Sequence, residues 1–254
     1  MPPAAKASAA APLVLVCGDD EFAVKQRAKE LYNTWCAELG GMDHEIIDAA
    51  VGNAGDALKV LGRLREALNT LPFFGGGKAV WFQNCNFLGD ERTATSQAVT
   101  ESLGDLAQEL KNFDWQNVRL LISAGKVDKR KVFYKTIDKV GSVETFAGWS
   151  LDDKNWADRA EMFARSSFRE LNKEIDADAL SEFVASIGPN ARLLQSEAEK
   201  ISVFVGDSPR ITREDVATIT TKTKQARAFA LGDALGKRDL PTLLRCLDEE
   251  LWEV

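Results

Sequence analysis

A phosphate-binding loop in an α/β domain sits where a buried strand gives way to a helix. In this chain the apolar run Leu13 to Cys17 leads into Gly18-Asp19-Asp20-Glu21, which occupies that place. A working loop has the spacing GxxxxGK[ST]: glycines let backbone N–H groups surround the phosphates, Lys meets their charge and the hydroxyl holds Mg²⁺. None of these is present. Three carboxylates stand where the anion would lie, and like charges about 4 Å apart repel by about 4 kcal/mol at a surface-like dielectric. Acids here suit the N-terminus of the following helix instead.

Gly75 to Lys78, GGGK, has a similar composition, but it precedes its strand and no Ser or Thr follows the Lys. The amides of a phosphate loop must open a helix N-terminus, so the order is wrong. An NTPase also needs an acidic pair at the end of an apolar strand to hold Mg²⁺ and position water. After "AVWF" the residues are Gln83 and Asn84, neutral amides that cannot replace a carboxylate. There is no GxSxG. The single His44 opens an apolar run and reads as structural or exposed. Cys17, Cys36, Cys85 and Cys246 are scattered without a CxxC, so no metal site or disulfide framework is expected and a reduced, cytoplasmic setting fits. The chain is expected to use no cofactor, no metal and no catalytic residue.

Two further stretches bear on binding. In "GKVDKRKVFYKTIDK", Lys126, Lys129, Arg130, Lys131, Lys135 and Lys139 form a basic cluster, with 131, 135 and 139 on one face if the stretch is helical. It is either an ordinary solvated face or a contact for phosphate or a partner. In "NTLPFFGGGKAVWFQN", Phe73 and Phe74 lie on a turn between Pro72 and three glycines. Neighbouring side chains diverge by about 100° on a helix and about 180° on a strand, so regular structure cannot send both rings into one core. On pattern alone they fold over the core as turn residues.

The elements that would carry these residues follow from periodicity. Val24, Ala28, Leu31, Trp35 and Leu39 recur at helical spacing up to Gly40 and Gly41. "HEIIDA", "KAVWFQN" and "VRLLISA" read as strands, with "SVETF" a weaker fifth and 57–70 a helix. Strands that are apolar on both faces and alternate with helices imply a parallel sheet covered on both sides. Residues 13–147 are thus one α/β domain, preceded by a loose tail over 1–12. The stretch 87–104, "FLGDERTATSQAVTESLG", is more polar than a compact crossover needs and is expected to be a mobile loop.

Beyond Gly148 the period is helical throughout. Leu180, Phe183, Val184 and Ile187 form one stripe, ended by Gly188-Pro189-Asn190, and Leu193, Leu194, Ala198 and Ile201 form another. Thr212 with Asp215 predicts a capped helix. An all-helical unit without strands is expected over 148–221, followed by two amphipathic segments over 222–254. A length of 254 residues suits two compact units or one and a half, and a net charge of −7 argues against a surface that tracks a nucleic-acid backbone throughout. No apolar run is long enough for a membrane span, so no membrane partner is expected.

With these pieces in order, the chain resembles the delta subunit of the bacterial DNA polymerase III clamp loader. The resemblance rests on "LVLVCGDDEFAVKQ", "TLPFFGGGKAVWF", "LLISAGKVDKRKVFYK", "DADALSEFVASIGPNARLLQSEAEKI" and "ITREDVATITTKTKQARAFALGDAL", and spans nearly all of 13–254. It implies an AAA+-like first domain that has lost nucleotide binding, a small helical lid-like domain over 148–221, and over 222–254 the start of a helical collar domain, with Val254 falling inside that domain. It implies a subunit that binds and opens the sliding clamp (beta) while other subunits hydrolyse ATP. The partners implied are the clamp, the other clamp-loader subunits through the collar, and primer-template DNA indirectly. The clamp-binding element would be Leu71, Pro72, Phe73 and Phe74. Lys126, Lys129, Arg130, Lys131 and Lys135 stay as a possible DNA or partner contact. The rival readings are an active AAA+ ATPase and a non-enzymatic helical adaptor with no clamp partner.

Overall fold

The computed structural model describes residues 11–70, 72, 75–150, 153–221 and 223–251. Contacts divide the chain into two units, one running to Gly148 and the other from Trp149 onward.

The first unit alternates strand and helix: β1 (Leu13–Cys17), α1 (Glu21–Leu39), β2 (Glu45–Asp48), α2 (Ala54–Asn69), β3 (Lys78–Cys85), α3 (Gln97–Lys111), β4 (Val118–Ala124), α4 (Val132–Val140) and β5 (Ser142–Thr145). The five strands form one parallel sheet in the order β2-β3-β4-β1-β5. All of β1 is buried because its alternate side chains serve two cores. Leu13, Leu15 and Cys17 point to the face covered by α2, α3 and α4, where they join Leu61, Leu106 and Ile137. Val14 and Val16 point to the opposite face, under Val24, Ala28, Tyr32 and Trp35 of α1. The parallel sheet covered on both sides is therefore observed.

The apolar stripe of α1 is observed: Val24, Ala28 and Trp35 are buried, Leu31 and Leu39 are half-buried against the same core, and Tyr32 joins them with its ring 5.4 Å from that of Trp81 on β3. One expectation is corrected in this unit. The polar stretch 87–104 is a packed turn leading into the first turns of α3, not a loose excursion: Phe87, Leu88, Ala94, Val99 and Leu103 are all in the core. Phe87 stands edge-on to Phe82 at 6.2 Å. The few apolar residues are spaced among many polar ones, so mean polarity hides that each apolar one lands inside.

The second unit contains α5 (Trp156–Glu170), β6 (Glu174–Ile175), α6 (Ala177–Ile187), α7 (Ala191–Phe204), β7 (Arg210–Ile211), α8 (Arg213–Ile219), α9 (Lys224–Lys237) and α10 (Leu240–Leu251). Phe168, Leu180, Phe183, Leu194 and Ile201 lie at its centre. The Thr212–Asp215 capping box is formed as read from the sequence. The unit is not all-helical, however: β6 and β7 pair in parallel, Glu174 with Arg210 and Ile175 with Ile211. Two residues per strand are too few to establish a period of two, which is why the pattern gave no sign of them. Leu193 also turns outward while Leu194, Ala198 and Ile201 of its predicted stripe are buried.

Candidate functional site

Only three residues, Gly18 to Asp20, connect β1 to α1, too few for a loop that must wrap a triphosphate. Each is engaged with the chain itself. The Gly18 N–H donates to Gly125 O at 3.1 Å, the Phe146 N–H to Cys17 O at 2.8 Å, and the Asp20 N–H to Phe146 O at 3.2 Å. The Asp20 carboxylate accepts the Ala23 N–H at 3.0 Å, so the anion at the N-terminus of α1 is the protein's own side chain. Asp19 faces Lys126 at 3.7 Å.

At the end of β3, Asn84 adopts φ 57° and donates its amide to Asp48 Oδ1 at 3.2 Å. Its backbone N–H donates to Ser123 Oγ at 3.4 Å, and the same hydroxyl accepts from Trp81 Nε1 at 3.0 Å. The amide is thus committed to holding strand ends together. Among the described residues no group of three His, Cys, Asp or Glu is placed to hold a metal ion. His44 accepts the Ala79 N–H through Nδ1 at 3.2 Å and so ties the edge of the sheet.

The basic cluster does not form one helical face. Helix α4 begins at Val132 with Lys131 as its N-cap, leaving Lys126, Lys129 and Arg130 in the preceding turn. Lys131 Nζ donates to Ala94 O at 2.8 Å, and Arg130 forks onto Asp128 with two contacts of 2.9 Å. With Lys126 on Asp19, this leaves Lys129, Lys135 and Lys139 as the exposed cations of the cluster without a carboxylate partner among the described residues. The side-chain and backbone hydrogen bonds from Arg130 hold the Asp128 carboxyl down at about 2. A depressed carboxyl favours the folded state above its unfolded pKa, and this contribution is lost as pH falls toward about 2. Carboxyl-carbon NMR should find Asp128 titrating near pH 2 in the folded chain, and Arg130→Ala should move it back toward the ordinary range.

The turn between α2 and β3 is fixed at both ends. Thr70 closes α2, its N–H and its hydroxyl both donating to Glu66 O, at 3.0 and 2.7 Å. On the far side the Gly77 N–H donates to Leu39 O at 3.1 Å and the Lys78 N–H to Asn117 O at 2.7 Å. Gly76, at φ 79°, passes so close to the end of α1 that a Cβ would sit 2.9 Å from Leu39 O. Of the four residues expected at the tip, Pro72 is described, whereas Leu71, Phe73 and Phe74 lie outside the described residues. Pro72 borders a groove of about 760 Å³ lined also by Arg65, Leu68, Leu106, Leu110 and Phe113.

Arg65 holds the two helices of that groove together, bridging Glu109 at 3.0 Å and donating to Ser102 O at 2.8 Å. The neighbouring Phe113 and Trp115 rings pair at 4.7 Å, half-buried. Sequence reading singled out neither. The only available signal was two aromatic residues in the loop-like "NFDWQN", the same kind of signal that marked Phe73 and Phe74.

A five-stranded parallel sheet with this strand order, followed by a helical unit, defines an AAA+-like protein. The family model for the DNA polymerase III delta subunit matches residues 15–146, more than half of the chain, and the chain belongs to that family. It is thus a clamp-loader component of the replication machinery. The solved structure of the Bacillus subtilis DNA clamp loader delta protein (YqeN) is similar with a TM-score of 0.61 and 16% identity, over 96% of this chain and 68% of that one. The Thermotoga maritima RuvB Holliday junction branch migration motor is similar with a TM-score of 0.47 and 11% identity, over 87% of this chain and 67% of that one. No curated protein sequence matches the chain. Among the described residues no helix is long and apolar enough to cross a membrane.

Proposed function

We propose that this chain binds the sliding clamp through Leu71, Pro72, Phe73 and Phe74 and opens it without binding or hydrolysing ATP. The observation that carries the reading is the mounting of the turn. Thr70 closes a capped helix on one side of residues 71–74, and on the other a glycine strap is pinned to α1 and to Asn117, so both flanks of the segment are anchored to regular elements. Binding energy at such a tip opens a ring by selecting a clamp conformation with one interface relaxed, since a ligand shifts an equilibrium only through differential affinity. No covalent step is needed.

Support for the non-catalytic part comes from the β1–α1 connection, where Asp20 takes the anion's place. Titration with a fluorescent ATP analogue should show no saturable binding by this chain, and micromolar binding would restore the active-ATPase reading. Lys129 and Lys135 remain available for a DNA or partner contact in an assembled loader. Residues 222–254 would begin the collar that joins the other subunits. On α10, Leu240, Leu244 and Leu247 form an exposed stripe at i, i+4, i+7, the spacing of a helix face that packs on another. The cytoplasm is the compartment this role implies. Mixing the chain with sliding clamp on a sizing column tests the central statement: co-elution is expected, and separate elution would favour an adaptor without a clamp partner.

A further inference from the structure

The strap that leads into β3 is held by three successive amides, each on a different segment. The Gly77 N–H donates to Leu39 O at the end of α1, the Lys78 N–H to Asn117 O just before β4, and the Ala79 N–H to His44 Nδ1 at 3.2 Å. The first two acceptors are backbone carbonyls, which accept at every pH. The third is an imidazole nitrogen. The connection from α1 to β2 that carries this ring also runs beside the strap: a Cβ on Gly41 would sit 2.9 Å from Gly75 O, and one on Gly76 would sit 3.2 Å from Gly40 C. His44 therefore joins two segments already packed backbone to backbone, at the point where the strap becomes a strand.

A neutral imidazole has one acceptor nitrogen, whereas an imidazolium has two donors and no acceptor. Histidine makes this change between about pH 5 and pH 8. The bond from the Ala79 N–H exists only with the neutral ring, so protonation sets two donors against each other and the joint weakens as pH falls. Around the joint, the buried Lys78 ammonium bridges to Glu45 at 3.2 Å, and Asp43 and Glu45 flank His44 in sequence. Arg119, opposite Ala79 on β4, is paired with Glu38 of α1. Tyr32 and Cys36 come from the same helix, and burial pushes their hydroxyl and thiol up, away from neutral pH.

We infer that His44 is a positioning residue for the tip and a proton-sensitive latch on its strap: the neutral ring fixes Ala79, and the protonated ring takes away one of the three supports of residues 77–79. The consequence for clamp binding rests on the reading of residues 71–74 as the clamp-binding element. A tip on a looser mount must be ordered when it binds, so clamp affinity falls as pH falls. Asparagine is the informative substitution, because its Oδ1 stands as many bonds from Cα as Nδ1 does and accepts at every pH.

The first test needs no clamp. Amide hydrogen exchange is followed by NMR at about pH 8 and about pH 5.5, towards the two ends of the histidine range, corrected for intrinsic rates and referenced to residues 120–122 in the centre of the sheet. Protection of Ala79 should fall about tenfold at the lower pH, the equivalent of one hydrogen bond. His44 is the single histidine of the chain, so its ring signal is unambiguous, and its titration should share a midpoint with the shift of the Ala79 amide. His44→Asn should keep protection at both pH values, His44→Leu should lose it at both, and Glu45→Gln should retain the pH response. Equal protection of Ala79 at the two pH values, or the same fall in His44→Asn, would overturn the latch. The second test is clamp affinity by surface plasmon resonance at the same two pH values, taken as the ratio of wild type to His44→Asn so that titration of the clamp itself cancels. That ratio should fall about three- to tenfold at the lower pH, and a constant ratio with binding intact would overturn the positioning role. Absence of clamp binding by wild type at the higher pH would count against the clamp reading instead, and the exchange test would still decide the latch.

Discussion

Replacing Phe73 and Phe74 together by Ala should lower affinity for the sliding clamp by about 10² to 10⁴. Each ring moved from water into an apolar pocket contributes about 1.5–3 kcal/mol, and a pair of such anchors near the centre of an interface dominates its energy. The two substitutions remove both anchors and leave the fixed ends of the turn in place, with Thr70 on Glu66 and Gly77 on Leu39. The single variants should each lose a smaller factor, because either ring alone still occupies part of the cavity. Surface plasmon resonance on immobilised clamp reads the loss directly, and circular dichroism melting separates it from unfolding. Unchanged affinity would remove the site assignment while leaving family membership intact. Gly76→Ala offers an independent approach to the same point. It changes no contacting side chain but forces the strap away from Leu39 O, so a loss of clamp affinity there would come from misplacing the tip.

Gly18→Ala should destabilise the first unit by about 4 kcal/mol, lowering its melting temperature by roughly 8–16 °C. Gly18 sits at φ 144°, where a side chain is strained, and an added Cβ would overlap Phe146 O while lying 2.6 Å from its carbonyl carbon and 2.9 Å from its nitrogen. These are backbone atoms that cannot rotate away. Phe146 is held by its N–H to Cys17 O and by its carbonyl to the Asp20 N–H, so relief would break the joint between β1 and β5. The same glycine would be explained differently in a nucleotide-binding loop, as a point where backbone approaches phosphate. Here its lack of a side chain serves packing, and the expected loss is in stability with no nucleotide present. A melting temperature within 2 °C of wild type would show that the strand end can yield.

The legibility of this chain varies with how locally each feature is encoded. The strand β1 was readable because five successive apolar residues can be satisfied only between two layers. The Thr212–Asp215 box was readable because both partners lie within one turn. The paired strands β6 and β7 were not, since Glu174 and Arg210 are far apart in sequence and each strand spans only a single repeat of its own pattern. The basic cluster was legible as composition but not as a surface: Lys131 points to Ala94 O and Arg130 to Asp128, which no spacing rule indicates. The absence of a phosphate loop was read from missing residue types, whereas its replacement by the Asp20 cap became visible only with the backbone of α1 in place.

By itself the amino-acid order determined the alternation of strands and helices, the change of period after Gly148, the absence of a phosphate-loop motif after β1 and the adjacency of Phe73 and Phe74 between a proline and three glycines. These depend on neighbours a few residues apart, where side-chain size and backbone preference act directly. Tertiary structure alone decided the strand order β2-β3-β4-β1-β5, the pinning of Gly77 to Leu39 and the groove beside Pro72. Each of those needs segments remote in sequence to share a surface, and which segments meet is set by the packing of all the apolar faces at once.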